Sequence, residues 1–274
     1  MLVGPATIFI AVCLLAPLAY LFRYSLNDFV AAKKMMVEAV TVANYVKFFT
    51  DPYYTTILWT TVRIAVLVTA VCLILAFPLA YVVARTQSRF KNLLIISIVL
   101  PLFVGNSVRA AGWMVVFGNK GFVNASLLGL GVISQPIEIM FTEKAVIIGI
   151  IAVNLPFMVL SLQSVIEGID RAVEEAAFSL GAPPITMFRR VLWPLALPGI
   201  IAGTILCFIL AMNAYATPFL LGGPLFKMMS PLIYNEFTQK TNWPFGGAIA
   251  FILMSVTLGL TVTANLILSR RSAR

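Results

Sequence analysis

Residues capable of acid–base, nucleophilic or metal chemistry are few in this sequence and lie far apart. The 274 residues include no histidine, and Cys13, Cys72 and Cys207 each stand alone inside an apolar run. All ten acidic residues fall in polar segments or at the ends of apolar runs. Neither G-x-x-x-x-G-K-[ST] nor G-x-S-x-G occurs, which excludes a P-loop for ATP phosphates and a hydrolase nucleophile elbow. The sequence therefore predicts no catalytic residue, no metal site and no cofactor held by this chain.

A few polar or aromatic side chains interrupt the long apolar runs. Ionisable residues within a membrane usually face a cavity or another helix rather than lipid. We predict that five such residues line a passage, with packing between helices as the alternative: Arg109, Trp113, Asn154, Asn213 and Tyr215.

The elements that carry these residues are membrane helices. Hydrophobic residues make up 61% of the chain and charged residues only 11%, whereas soluble domains are roughly half apolar and a quarter charged. A membrane-spanning helix needs roughly 20 apolar residues, and six runs are that long: 3–24, 56–84, 92–117, 144–164, 192–221 and 244–269. The sequence predicts an all-α membrane protein of about six transmembrane helices, with residues 1–274 as a single domain.

The net charge of +9 is a topology signal rather than a sign of nucleic-acid binding, because the basic residues are spread among short connecting segments. They are densest in 85–92, 167–190 and 269–274, whereas the remaining loops, including the one with Lys33 and Lys34, are much longer in total. By the positive-inside rule we place the three dense segments and both termini in the cytosol. Arg63 and Arg109, both near the outer ends of spans, fit either snorkelling to the interface or a water-filled path.

The segment 167–190 predicts two short helices joined by a glycine turn. Apolar residues recur there at i, i+3, i+4 and i+7, namely Val173, Ala176, Ala177 and Leu180. Asp170 can cap the first helix, Glu174 lies in its favourable first turns, and Gly181 can end it. The second helix is predicted from about Pro184 through Arg190. The stripe is too small for a membrane anchor and suits a groove on a partner protein.

The stretch EEAAFSLGAPPITMFRRVLWP resembles the EAA loop of bacterial ABC-importer permeases. The matching positions are Glu175, Ala176, Ala177, Gly181, Val191 and Pro194, and Trp193 stands where that family has leucine. The resemblance implies that this loop is the coupling helix that docks into an ATPase subunit. It gives as coupling residues Val173, Glu174, Glu175, Ala176, Ala177, Leu180 and Gly181.

Other stretches resemble the spermidine/putrescine group of these permeases, among them AFPLAYVVART (76–86), VRAAGWMVVFGNKGFVN (108–124) and NWPFGGAIA (242–250). The resemblance implies a type I importer fold in the bacterial inner membrane. It also implies a second homologous permease, an extracytoplasmic solute-binding protein, and two ATPase subunits that hold the ATP and Mg.

Two alternatives concern the function. A secondary transporter or channel is one, although the lack of Asp, Glu and His in the middle of every predicted span argues against proton coupling. The second concerns the solute, because Arg63 and Arg109 would repel a polyamine and the spans offer no acid to attract it. An amino acid, an opine or another small organic solute therefore stays open beside a polyamine.

Overall fold

The computed structural model describes residues 4–30 and 35–272, and this part of the chain is mostly helical. Arg274, Lys33 and Lys34, which entered the topology prediction, lie outside the described residues. The helices are α1 (Gly4–Ser25), α2 (Ala43–Thr50), α3 (Pro52–Arg85), α4 (Lys91–Val99), α5 (Asn106–Phe117), α6 (Phe122–Gly129), α7 (Glu143–Glu167), α8 (Arg171–Ser179), α9 (Pro184–Met187), α10 (Trp193–Leu195), α11 (Leu197–Met212), α12 (Ala216–Leu221), α13 (Met229–Thr238) and α14 (Trp243–Ser272). Short 3-10 and π turns cover Leu100–Phe103 and Phe188–Leu192.

Four described helices are long and apolar enough to cross a membrane by themselves: α1, α3, α7 and α14. Two further spans are bent pairs. Lys91–Phe103 and Asn106–Gly129 meet at 101°, and Pro184–Leu195 and Leu197–Met212 meet at 70°. Counting each pair as one span gives six, which confirms the predicted all-α membrane architecture.

Both bends coincide with backbone that cannot continue an α-helix. In the first, Pro101 lies in the 3-10 turn, Val104 is extended and Gly105 precedes α5. In the second, Ala196 interrupts the helix and Pro198 lies in the first turn of α11, where its missing N–H costs nothing. The predicted spans 92–117 and 192–221 are therefore each broken into separate helices at these bends.

Segments predicted as loops contain structure of their own. α6 lies in 118–131 and α13 lies in 222–244, and residues Asp28–Val30 (β1) pair antiparallel with Met35–Val37 (β2). These elements are short and polar at their ends, so hydropathy over a window of membrane length does not detect them. The predicted span 192–221 also ends early, because α11 stops at Met212 and α12 is a separate helix.

The contacts divide the chain into two units, Met1–Thr61 with Met228–Leu258, and Val62–Lys227 with Gly259–Arg274. α3 and α14 each run through both. The prediction of a single domain over residues 1–274 stays a prediction.

The first unit is held by aromatic contacts and by buried hydrogen bonds. The rings of Phe22 and Phe251 meet edge to face at 5.2 Å, and those of Tyr54 and Phe245 do so at 4.9 Å. The buried Thr61 hydroxyl accepts the Met229 amide at 3.0 Å, which satisfies a free amide at the start of α13. These contacts join α1 and α3 to α14, and α13 to α3.

In the second unit, α7 packs closely along α11. Gly203 of α11 permits this approach, because a Cβ there would lie 2.7 Å from the Met158 sulfur. Small residues are the usual means of close helix packing in membranes. The same unit contains α5, which packs against α12, and α8, which packs against α9 and the π turn.

Candidate functional site

α8 begins as the sequence predicts. The Asp170 backbone is extended, and its carboxylate oxygen Oδ1 accepts the Ala172 amide at 2.9 Å. This side chain satisfies one of the amides that a helix start leaves without a partner. Glu174 lies in the first turn, where a negative charge favours the helix dipole.

α8 ends in a left-handed glycine turn. Gly181 has φ +80°, the Gly181 amide donates to the Phe178 carbonyl at 2.9 Å, and the Ala182 amide donates to the Ala177 carbonyl at 3.1 Å. This pair of hydrogen bonds is the Schellman motif. The helix that follows is shorter than predicted, since α9 spans Pro184–Met187 and a π turn carries the chain onward to Leu192.

The apolar stripe on α8 is open to its surroundings. Val173, Ala176 and Leu180 are exposed, Leu180 to 88%, whereas Ala177 is half-buried. Exposed apolar side chains that form one patch indicate a protein or membrane contact. Glu175 is exposed beside this stripe. The described residues therefore leave a face of α8 uncovered at the positions where the sequence predicts a docking surface.

Glu174 faces the other way. Its side chain is 9% exposed and forms an ion pair of 2.5 Å with Arg85, whose side chain is 13% exposed. Arg85 Nε donates to the same carboxylate oxygen at 2.8 Å, and the Tyr81 hydroxyl donates to the other oxygen at 2.8 Å. Glu174 was predicted with the coupling residues, but its carboxylate is occupied within the chain and is not part of the exposed surface.

Arg109 and Trp113 lie one turn apart on α5. Arg109 Nη2 donates to Asn106 Oδ1, while Nε and Nη1 are buried without a hydrogen-bond partner among the described residues. The Trp113 ring stacks on Phe117 with centroids 4.9 Å apart. Both side chains are half-buried, so α5 carries a cation and an aromatic pair within the second unit.

Asn213 and Tyr215 lie at the break between α11 and α12. Asn213 ends α11, and its side-chain amide donates to the Ile209 carbonyl at 2.8 Å. Tyr215 precedes α12 and stacks on Phe219 with centroids 5.4 Å apart. The helix that follows this break, α12, packs against α5 and α7.

Asn154 does not face a passage in this structure. It is 1% exposed, and its amide donates to the Cys207 carbonyl at 3.1 Å between α7 and α11. The alternative of packing between helices is the one observed for this residue. From the sequence alone, an amide in an apolar run can either line a passage or form a hydrogen bond to a neighbouring helix. Only the position of the facing helix, here α11, shows which of the two occurs.

Comparison with known proteins decides the family. Residues 36–272 match the binding-protein-dependent transport system inner membrane components. This chain belongs to that family. It is a multi-pass permease of the bacterial inner membrane, and its partners are an ATPase and a solute-binding protein. As a permease component it is not itself an enzyme.

Two relatives of the permease are named for the transport of spermidine and putrescine. The permease is 37% identical over 235 residues to the spermidine/putrescine transport system permease protein PotB of Haemophilus influenzae, covering 85% of this chain and 82% of that one. It is also 37% identical over 220 residues to PotB of Escherichia coli, covering 80% and 79%. These likenesses confirm the resemblance seen in the sequence.

A solved structure shares the fold. The bacterial alginate ABC transporter, in complex with an alginate pentasaccharide-bound periplasmic protein, has a chain that superposes on the permease with a TM-score of 0.81. The superposition covers 99% of the permease and 93% of that chain, at 18% identity. This likeness confirms the type I importer fold.

Long-range ion pairs of the permease were not visible in its sequence. Arg63 Nη2 lies 2.5 Å from Glu143 Oε2, so the charge of Arg63 is balanced by an acid at the start of α7. Lys91 lies 2.6 Å from Glu167. The partners stand 80 and 76 positions apart in the chain, and no local pattern could have joined them.

The first unit contains a polar cavity of about 670 Å³, lined by Asp28, Phe29, Ala43, Asn44, Lys47, Tyr54, Glu236, Gln239, Lys240 and Asn242. Two of its charged residues form an ion pair. Lys240 Nζ donates to Glu236 Oε1 at 2.6 Å, and this hydrogen bond raises the pKa of Lys240. Lys47 Nζ lies 4.5 Å from the centre of the Phe245 ring. Among the described residues of the permease, no group of three or more His, Cys, Asp and Glu could hold a metal ion.

Proposed function

We propose that this permease forms one half of the membrane passage of a polyamine importer. A second homologous permease forms the other half, two ATPase subunits hold the ATP and Mg, and an extracytoplasmic binding protein delivers spermidine or putrescine. The relatives named for spermidine and putrescine support this solute, because they match the permease over four-fifths or more of its length.

The observation that carries the mechanism is the exposed face of α8. Val173 and Leu180 lie open on a helix that is fixed at its start by Asp170 and at its end by the Gly181 turn. A rigid helix end with uncovered apolar side chains fits a groove on another protein, since little conformational entropy is lost on docking. We assign this face, with Glu175 beside it, to the ATPase subunit.

The docking proposal also sets the orientation. ATP is cytosolic, so residues 167–190 and both termini face the cytosol. The basic residues Arg171, Arg189 and Arg190 in this segment support the same side. A cysteine at position 180 should then resist a membrane-impermeant maleimide added to intact cells and react after the membrane is opened; labelling of intact cells would reverse the orientation.

The passage is proposed to contain Arg109, Trp113, Asn213 and Tyr215. Two stacked aromatic pairs, Trp113 with Phe117 and Tyr215 with Phe219, lie on α5 and at α12, which pack together. Aromatic faces attract ammonium groups without holding them as tightly as an acid would. The repulsion expected from Arg63 is reduced by Glu143.

Transport by the complete complex in proteoliposomes tests the function. We expect ATP-dependent uptake of labelled spermidine or putrescine that requires the binding protein, and no such uptake of an amino acid or opine. ATP-dependent uptake of those solutes without polyamine uptake would refute the solute, and uptake without ATP would refute the energy source.

Glu175→Lys tests the docking face. The substitution reverses an exposed charge while leaving the Glu174 pair in place. We expect the permease to reach the membrane but to bind the ATPase at least about tenfold more weakly, as an unfavourable charge at an interface does. Arg89→Glu, a charge reversal at another exposed residue outside α8, is the matched control. Equal binding by both variants would contradict the assignment.

A further inference from the structure

The cytosolic end of α3 is tied to α8 by several hydrogen bonds that converge on Arg85. Its Nε and Nη2 donate to Glu174 Oε1 at 2.8 and 2.5 Å, and its Nη1 donates to the Ile169 carbonyl at 2.9 Å. Arg171 returns a hydrogen bond from Nη2 to the Arg85 carbonyl at 2.7 Å. Tyr81, one turn earlier on α3, donates to Glu174 Oε2. Both carboxylate oxygens of Glu174 are therefore bound by α3.

Burial distinguishes this ion pair from the others in the described part of the chain. The side chains of Arg85 and Glu174 are 13% and 9% exposed, whereas every other ion pair there has at least one side chain exposed by a quarter or more. Separating a buried pair leaves a charge without compensation, which is far more costly than separating a pair in water. Separating α8 from the end of α3 therefore costs more free energy than separating a contact made by exposed ion pairs.

The segment after the glycine turn also contacts α3. Phe188 meets Phe77 edge to face at 5.0 Å, and Trp193 stacks on the same ring at 5.5 Å. Between these rings and Tyr81 lies an apolar cavity of about 570 Å³. The loop therefore contacts α3 at two places, the polar cluster at Arg85 and the packed rings around Phe77.

We infer that Arg85 and Tyr81 are positioning residues for energy coupling, which hold α8 through Glu174 so that α3 follows the loop when the ATPase moves it. α3 is a helix of 34 residues that runs from the loop through both units of the chain. Pro78 lies inside α3 shortly before Tyr81 and Arg85, and a proline is where a helix bends most readily, so a displacement of the loop moves the last turns of α3 first. This inference rests on the proposed docking of α8 to the ATPase.

The ratio of solute imported to ATP hydrolysed tests the inference in the reconstituted complex. Glu174→Gln keeps the shape of the side chain but removes its charge, and it leaves the exposed face of α8 unchanged. We expect ATPase binding to be retained and hydrolysis to continue, while uptake per ATP falls about tenfold, within the usual range of coupling energies. Tyr81→Phe removes a single hydroxyl and should lower the ratio less.

Lys91→Gln is the matched control, because it removes an ion pair with Glu167 that is more exposed. Its uptake per ATP should stay near that of the wild type. Arg85→Lys keeps the charge but lacks the forked geometry of the guanidinium. If Glu174→Gln does not assemble, uptake per ATP in Arg85→Lys tests the inference instead. Wild-type ratios in Glu174→Gln, or in Arg85→Lys and Tyr81→Phe together, would overturn the inference. A wild-type complex that binds no ATPase at α8 would instead refute the proposed docking.

Discussion

The glycine turn at the end of α8 can be tested by Gly181→Val. Gly181 has φ +80°, and no heavy atom lies within 4 Å of a Cβ built on it. The added Cβ would therefore meet no atom beyond the adjacent residues, and the penalty considered is that of the backbone conformation. A left-handed backbone costs a residue with a Cβ roughly 1–2 kcal/mol, and a β-branched residue is among the least tolerant.

The protein can bear this strain or release it. Release would break the hydrogen bonds from the Gly181 and Ala182 amides, each worth about 0.5–1.5 kcal/mol, and would turn α9 relative to α8. Because the strain is present only in the docking geometry, the substitution lowers the free energy that holds this geometry by roughly 1–2 kcal/mol, which reduces its population by a factor of up to about 5–30. The membrane helices do not depend on this turn, so insertion should be unchanged.

The assay is binding of the ATPase subunit to the permease in nanodiscs, with abundance in the membrane as the measure of insertion. We expect Gly181→Val to weaken binding about 5–30-fold and to lower transport accordingly. Gly181→Asn is the matched control, since asparagine adopts the left-handed region more readily than other residues with a Cβ, and it should bind near the wild-type level. Normal binding and transport by Gly181→Val would refute the role of the turn.

Three further results are expected. Asn154→Ala should lower the stability of the detergent-solubilised permease by about 0.5–1 kcal/mol, because the hydrogen bond to the Cys207 carbonyl is lost. Transport per assembled complex should be unchanged. Loss of transport without loss of stability would instead show that Asn154 lines the passage. Lys240→Met should lower the thermal unfolding temperature at neutral pH, because Glu236 loses its cation. Since the pKa of Lys240 is raised from 10.5 by that hydrogen bond, its stabilisation is complete below pH 10.5 and is lost as pH rises through the raised pKa; a difference between variant and wild type that grows at alkaline pH would contradict this.

Local rules explain why α8 and its turn could be predicted. An N-cap aspartate, a helical stripe and a glycine before Pro183 and Pro184 each act within a few residues, and the structure has Asp170 and Gly181 in these roles. The bends between α4 and α5 and before α11 are different. Hydropathy measures whether a segment can lie in lipid, and this property is the same for a straight span and for two helices that meet at 101°.

The contrast between Glu174 and Glu175 shows where sequence reasoning stops. The two are neighbours of one residue type on one helix, and the sequence places both in the coupling loop. A helix turns by about 100° per residue, so one carboxylate points at α3 and the other does not. Arg85, the partner of Glu174, stands 89 positions earlier, and only the folded chain shows which glutamate it reaches.

The net charge that a solute meets also depends on contacts between residues far apart in the sequence. In the sequence, Arg63 and Arg109 are two cations in spans without acids, which argues against a polyamine. The fold pairs Arg63 with Glu143 at 2.5 Å, and Coulomb attraction at that separation leaves little net field for a distant charge. Arg109 alone then opposes a cation, and it lies beside Trp113, whose stacked ring can attract an ammonium group. The charge that a solute meets is set by these long-range pairs rather than by the count of basic residues, so one of the two arginines that spoke against a polyamine no longer does.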